Sequence, residues 1–168
     1  MQEEFFSETA KIRPKVFKYL MGDILDIGCG GEKICASASG VDVRKTEAVD
    51  FVVPGFEDLS KELVKVGAPD KWDTIFSSHC LEHLPDDLAA LRDWANMLKS
   101  GGHLILYLPC DRKYDNDANP EHLHRYTHES FLSRCIQLIT FRQEMELVES
   151  ANDYGHDRYS FYYVWKKS

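Results

Sequence analysis

Asp23-Ile24-Leu25-Asp26-Ile27-Gly28-Cys29-Gly30-Gly31 is the stretch that decides the fold of this chain. A short apolar run breaks onto glycines, the pattern of a buried strand that ends in a tight turn. Glycines at such a turn let the backbone approach a ligand where a Cβ would collide. The turn matches neither common phosphate cradle. Gly28 and Gly30 fit the first two glycines of G-x-G-x-x-G/A, but Lys33 stands at the third, where helix–strand packing needs a small residue. No G-K-[ST] follows, so the P-loop pattern is absent as well. Asp42 ends the next apolar run, and a carboxylate there can accept hydrogen bonds from both hydroxyls of a ribose. Together these features point to a nucleoside cofactor that carries no phosphate. The plainer alternative is that the glycines only turn the chain and Asp42 caps a helix.

Outward from this turn, strands and helices alternate. Phe5–Leu20 interleaves Phe6, Ile12, Val16, Phe17 and Leu20 with charges, which predicts an amphipathic N-terminal helix over about 3–20, interrupted by Pro14. Gly40–Val43, Asp50–Val53, Trp72–Ser78 and His103–Leu108 read as further strands. Glu57–Val66 has helical spacing. Pro85–Lys99 is the clearest helix, with Leu88, Leu91, Ala95 and Leu98 on one stripe and Gly101 suited to its C′ position. After Pro109 the chain turns polar. Residues 110–127 predict a long loop, His128–Thr140 a helix, and Gln143–Ser150 and Arg158–Lys166 two closing strands. The aromatic row Tyr159, Phe161, Tyr162, Tyr163 and Trp165 is read as alternation in a strand rather than a ring-binding surface. Alternating elements predict a single α/β domain over residues 1–168, doubly wound, with helices on both faces of a mostly parallel sheet. Ligands then belong at the carboxyl ends of the central strands.

S-adenosylmethionine is the common nucleoside cofactor without phosphate, and the motifs resemble those of the enzymes that use it. Ile24-Leu25-Asp26-Ile27-Gly28-Cys29-Gly30-Gly31 resembles motif I of class I S-adenosylmethionine-dependent methyltransferases, and Gly40-Val41-Asp42-Val43 resembles their second motif. Trp72–Leu84 is similar to the fourth-strand segment, especially of the methyltransferase type 11 subgroup. Leu98-Lys99-Ser100-Gly101-Gly102-His103-Leu104 is similar to the usual approach to strand five, with Ser100 in place of proline. The resemblance implies a seven-stranded Rossmann-like methyltransferase fold with an antiparallel last strand. It implies cofactor contacts from Asp26, Gly28, Cys29, Gly30, Asp42 and Val43, and from Ser78 and His79 beneath the transferable methyl. At the adenine contact the chain departs from the pattern. Gly55 stands where the family often has an acid, so Glu57 or Asp58 substitutes, or Phe56 and backbone amides hold the ring. The helix expected after Gly31 is short, because Gly40 follows only nine positions after Gly31.

The histidines carry the remaining chemistry. His79 and His83 have i,i+4 spacing, and His122-Leu123-His124 follows strand five with Glu121 and Asp111 nearby. A metal site is one reading. The preferred one is that His79 and His83 pack at the cofactor floor, with no metal, because no strict metal-spacing motif is present. His122 or His124 is then the candidate base for an acceptor hydroxyl. His83, Asp111, Tyr114, Arg125 and Tyr126 are candidate acceptor contacts, Arg125 for an acidic group and the tyrosines for a ring. The equally weighted alternative is a self-packed loop.

Composition limits the partners. Hydrophobic residues make up 43% of the chain, which excludes global disorder, and the formal net charge of −8 argues against nucleic acid as the acceptor. No apolar run is long enough for a membrane span. Met1–Lys11 is acidic without an apolar h-region, which argues against a secretory signal. Five scattered cysteines with no CxxC pair suit a reduced, cytoplasmic setting. The expectation is therefore a cytoplasmic S-adenosylmethionine-dependent methyltransferase acting on a hydroxyl of a small molecule or glycan. The rivals are a metal-assisted enzyme built on the histidines and a non-catalytic binding subunit that keeps the fold.

Overall fold

Leu25 and Ile27 of the strand Ile24–Ile27 (β1) are fully buried, and the whole strand is buried on both faces. That is the signature of a central strand in a parallel sheet covered on both sides. The computed structural model describes residues 7–155 and 158–168. Around β1 are ordered Ser39–Asp42 (β2), Phe51–Val52 (β3), Trp72–Ser78 (β4), Leu98–Pro109 (β5), Met145–Gly155 (β6) and Arg158–Lys167 (β7). Among the described residues they form one seven-stranded sheet in the order β3-β2-β1-β4-β5-β7-β6. β1 to β5 pair in parallel, and β7 runs antiparallel to both β5 and β6. This is the doubly wound architecture expected. The chain leaves β1 toward β3 and returns to β4 on the other side, so the crevice between β1 and β4 lies at the reversal of strand order.

Helices Leu59–Lys65 (α2), Asp87–Met97 (α3), His128–Cys135 (α4) and Ile139–Glu144 (α5) pack on one side of the sheet, α3 touching each of the other three. Leu59, Leu63, Leu91, Trp94, Phe131 and Phe141 from these helices pack with Leu25, Ile75, Leu106, Tyr163 and Trp165. Ile12 and Val16 of the N-terminal helix Glu8–Val16 (α1) pack on the opposite face with Ile24, Ile34, Phe76, Ile105, Tyr162 and Val164. The aromatic row of β7 is thus divided between the two cores by simple alternation.

Four sequence expectations are corrected. The N-terminal helix begins at Glu8, capped by Ser7, whose hydroxyl accepts from the Ala10 N–H at 3.0 Å. It gives way after Val16 to a 3₁₀ turn, Phe17–Tyr19. Pro14 has no N–H to give and its ring crowds the preceding turn, so the helix closes soon after it. Residues 3–6 of the expected helix lie outside the described residues.

Among the described residues no helix joins β1 to β2. Residues 29–38 run as turns and bends, with Ser37 and Gly40 weakening any helical preference. The segment is held instead by Asp26 Oδ2, which accepts from Ile34 N–H at 2.6 Å, and by Arg13, whose Nε donates to Ile34 O at 2.7 Å and Nη2 to Glu32 Oε1 at 2.6 Å. α1 therefore anchors the segment to its face of the sheet.

Gly101 does not end α3. That helix starts from Asp86, whose side chain accepts from Ala89 N–H, and stops at Met97. Gly101, at φ +80°, turns the beginning of β5, where the register with β4 shifts between Trp72 and Thr74. The single helix read over His128–Thr140 is also two, α4 and α5.

Candidate active site

The glycine turn is bonded into the sheet before any ligand is considered. Gly28 N–H donates to Val41 O at 2.9 Å, and Cys29 N–H to the same oxygen at 3.3 Å. Gly28 has φ +71°, and a Cβ there would meet Cys80 Sγ at 2.8 Å and Cys80 Cβ at 2.9 Å. Gly30 has φ +57° and faces open space, with nothing within 4 Å of where a Cβ would stand. Asp42, at the end of β2, spans the turn. Its Oδ2 accepts from Gly30 N–H at 2.9 Å and its Oδ1 from Arg44 N–H at 3.1 Å. Thr46 Oγ1 donates to Gly30 O at 2.6 Å. Each carboxylate oxygen keeps accepting capacity for a further donor.

These groups enclose a cavity of about 660 Å³ at the carboxyl ends of β1, β2 and β4. Gly28, Gly30, Asp42, Val43, Phe56, His79 and His83 are wall residues expected from sequence, and Gly31, Arg44, Thr46, Cys80, Leu84 and Glu121 complete the lining. Phe56 is held in place by Trp94, whose Nε1–H donates to Phe56 O at 2.9 Å. Other expected cofactor residues stand back from the wall. Asp26 is buried beneath the turn, where burial pushes its carboxyl up to about 7. Cys29 points its Sγ at Ala48 O, and burial pushes its thiol up to about 12. Ser78 is buried, with an unpartnered hydroxyl. Asp58 is exposed beside Lys61. Glu57 places Oε2 3.2 Å from where a Gly55 Cβ would stand, so its carboxylate fills the side-chain space that Gly55 leaves empty.

His79 follows β4 at φ 49°, a left-handed conformation that a non-glycine residue adopts only when its surroundings impose it. Its N–H donates to Tyr107 O at 2.9 Å, and its Nε2 shares a 2.9 Å hydrogen bond with Ser160 Oγ. Burial lowers its pKa to about 3, so the ring is neutral at pH 7.

Past His79 the chain makes a 3₁₀ turn, Leu81–His83, and Glu82 points inward. Glu82 is fully buried and neither carboxyl oxygen has a hydrogen-bond partner among the described residues; burial raises its pKa to about 8. Three imidazole nitrogens face its Oε1: His122 Nε2 at 3.8 Å, His83 Nε2 at 3.9 Å and His79 Nδ1 at 4.0 Å. The loop after β5 is pinned there by backbone, since Leu123 and His124 N–H donate to Glu82 O at 2.8 and 3.0 Å. His83 Nδ1 lies 3.0 Å from Glu121 O, an acceptor, so Nδ1 carries the proton. His122 Nδ1 lies 2.7 Å from Asn116 Oδ1. The Asn116 amide is oriented by its Nδ2, which donates to Asp111 Oδ1 at 2.7 Å, so here too Nδ1 is the donor. Burial, followed by the nearby His83, keeps the His122 pKa below the ordinary value. Both Nε2 atoms therefore turn bare lone pairs toward Glu82.

The other loop candidates are dispersed. His124 Nε2–H donates to Leu84 O at 2.8 Å. Tyr126 is buried, and its hydroxyl donates to Asp87 Oδ2 at 2.7 Å. Arg134 completes that group, with Nε to Oδ2 at 2.9 Å and Nη2 to Oδ1 at 2.6 Å. Tyr114 stacks on His122 with ring centroids 5.0 Å apart. Arg125 pairs with Asp117 at 2.6 Å, half-exposed and off the cavity wall. Sequence reasoning passed over Glu82; a carboxylate set between His79 and His83 just past a central strand was the available signal. It also passed over Asp87 and Arg134, which nothing but their fold brings together.

Residues 1–156 match the family model described as a methyltransferase domain. Among curated proteins, the ubiquinone biosynthesis O-methyltransferase of Xanthomonas campestris pv. campestris is 31% identical over 103 residues, covering 49% of this chain and 41% of that protein. The protein of the same name in Aliivibrio fischeri is 31% identical over 97 residues, covering 49% and 42%. The matches thus span under half the length of these relatives. Among solved structures, the N-methyltransferase NodS from Bradyrhizobium japonicum in complex with S-adenosyl-L-homocysteine superposes with a TM-score of 0.59 at 15% identity, covering 95% of this chain and 85% of that one. A methyltransferase from Methanosarcina mazei superposes with a TM-score of 0.63 at 16% identity, covering 92% and 97%.

Proposed function

The chain belongs to the methyltransferase-domain family, and from that premise we propose that it transfers a methyl group from S-adenosylmethionine to a hydroxyl oxygen of a small molecule or glycan. One observation carries the reading. A single cavity has the Gly28–Gly30 turn and Asp42 at one side and the imidazoles of His79 and His83 at the other. The residues suit the cofactor. Gly30 leaves open space beside the turn for its methionine end. Asp42 has accepting capacity for a ribose, and Phe56 forms the adenine side of the wall. When bound, S-adenosylmethionine supplies an electrophilic sulfonium methyl.

The chain's own contribution is placement and proton management. Phe56, Cys80 and Leu84 give the wall an apolar lining that limits water. His79 is held neutral, so it adds no positive charge next to a cationic sulfonium. His83 on the wall meets the acceptor hydroxyl. Of the two candidate bases, this reading assigns the proton in the ion-free protein to His122, which sits behind the wall with its Nε2 toward Glu82, over His124, whose Nε2–H is committed to Leu84. Oxygen as the methylated atom draws support from the name of the curated relatives, although the shared segment does not include their whole length.

Calorimetric titration with S-adenosylmethionine tests the first half of the reading; a folded sample that shows no heat at high micromolar ligand overturns it. Incubation with isotope-labelled cofactor and matched phenol, polyol and amine acceptors tests the second half. Label on the oxygen acceptors supports it. Label on amines alone overturns it, and binding without turnover on any acceptor favours a non-catalytic subunit.

A further inference from the structure

A buried carboxyl group with both oxygens unpartnered among the described residues calls for a partner. Glu82 is such a group, and its surroundings are built for a cation. Glu82, His83 and His122 each offer one ligand atom, and these atoms lie within 4.8 Å of one another. The two histidines are prepared as metal-binding imidazoles usually are, with the far nitrogen donating to a fixed acceptor and the near one bare. Glu121 O holds His83 and Asn116 Oδ1 holds His122. Asp111 in turn fixes Asn116, so the orientation is set two bonds away from the cluster. The Nε2-to-Oε1 separations of 3.8 and 3.9 Å are too long for hydrogen bonds. A tetrahedral ion with bonds of about 2.1 Å holds its ligand atoms about 3.4 Å apart, so seating one closes the two Nε2-to-Oε1 gaps by about half an ångström and the separation of the two imidazole nitrogens, within 4.8 Å, by up to about 1.4 Å.

We propose that Glu82, His83 and His122 form a binding site for one divalent transition-metal ion, whose open coordination position faces the cavity and takes the acceptor hydroxyl. Two imidazoles and one carboxylate favour ions such as Zn²⁺, Co²⁺ or Mn²⁺ over Mg²⁺ or Ca²⁺, which prefer all-oxygen sites. His83 lies both on the cavity wall and in the cluster, so an ion there borders the space beyond the cofactor. The acceptor role rests on the methyl-transfer reading above, whereas ion binding does not. In the loaded enzyme His122 is a ligand rather than a base. A hydroxyl bound to the ion becomes more acidic and gives its proton to water. Its oxygen then forms the O–CH₃ bond as the S–CH₃ bond breaks; a neutral thioether leaves, and the ion's oxidation state is unchanged.

The test uses the untagged 168-residue chain freed of metal by a chelator and titrated with Co²⁺ and Zn²⁺ in the absence of cofactor and acceptor. Expected are a stoichiometry near one, a visible Co²⁺ absorption band of a low-symmetry nitrogen–oxygen site, and at least tenfold weaker binding in His83→Ala, His122→Ala and Glu82→Gln. His103→Gln, on the sheet, keeps wild-type affinity. Folding of each variant is checked by circular dichroism; if Glu82→Gln does not fold, His83→Ala on the cavity wall carries the test. Absence of ion binding at 100 µM metal, or binding that survives His83→Ala and His122→Ala, overturns the site and leaves methyl transfer standing. Ion binding with no affinity for S-adenosylmethionine overturns the methyl-transfer reading and leaves the site standing. Where both hold, chelation abolishes methylation and Co²⁺ or Zn²⁺ restores it; methylation unaffected by chelation overturns the acceptor role.

Discussion

Gly28 and Gly30 have nearly the same backbone conformation but different surroundings, so alanine at each separates the turn's structural work from its ligand contact. At Gly28 an alanine adopts φ +71°, at about 1–2 kcal/mol for an L residue in the left-handed region. Its Cβ also falls 2.8 and 2.9 Å from Cys80 Sγ and Cβ. Cys80 is buried on a short side chain that cannot swing away, so the overlap adds about 1–3 kcal/mol. The expected destabilisation is about 2–5 kcal/mol. At Gly30 the Cβ meets nothing, so only the backbone cost of about 1–2 kcal/mol remains. The order reverses for the ligand. Gly30→Ala projects a methyl into the space assigned to the cofactor and weakens S-adenosylmethionine binding at least tenfold. Urea unfolding gives the first comparison and calorimetry of the folded variants the second. In a Cys80→Gly background both crowding atoms are gone, so Gly28→Ala there is expected to cost only the backbone part. If Gly28→Ala costs no more stability than Gly30→Ala, or costs as much in the Cys80→Gly background as in wild type, the packing argument for the turn is wrong.

Asp42→Ala removes the acceptor for Gly30 N–H and the proposed ribose contact together, and calorimetry is expected to show S-adenosylmethionine affinity falling by tenfold or more, about 1.5–3 kcal/mol for hydrogen bonds to a charged group; unchanged affinity removes Asp42 from the site. Burial raises the Asp26 carboxyl from 3.8 to about 7 in the folded chain, so between those values the native state holds a proton the unfolded state has lost, and stability falls as pH rises through that window. Asp26→Asn loses this slope, so its stability relative to wild type is expected to climb by about 2–4 kcal/mol from pH 4 to pH 7.5; a difference that does not vary with pH in urea unfolding refutes the assignment. Arg134→Ala leaves the buried Asp87 carboxylate with the Tyr126 hydroxyl as its remaining side-chain hydrogen bond among the described residues, with His124 Nε2 at 3.8 Å, and is expected to cost about 3–5 kcal/mol, most of it recovered by adding Asp87→Asn; a cost below about 1 kcal/mol, the range of a surface pair, shows that solvent reaches Asp87.

Local sequence determined much of this protein. The apolar run into Gly28, the alternation of strands and helices, and Trp72–Ser78 as a strand follow from side-chain periodicity and glycine chemistry, which need no distant partner. The Gly–Asp42 pairing was legible because β1 and β2 are adjacent parallel strands, and Leu25 pairing with Ser39 brings their ends together. Periodicity did not reveal the missing helix between β1 and β2. That outcome depends on Arg13, from a helix far earlier in the chain, supplying the hydrogen bonds that the segment would otherwise have made internally. Nor did spacing show which histidines converge. His83 and His122 are 39 positions apart, and His124 is two residues from His122 yet turns to Leu84. Their meeting around Glu82 depends on the loop after β5 folding back to donate Leu123 and His124 N–H to Glu82 O, a contact set by closure of the sheet. The sequence by itself therefore determined the sheet and the cofactor turn, where the physics is local. Tertiary structure alone decided the carboxyl–imidazole cluster, because burying one titratable group among others remote in sequence is a property of the packed chain.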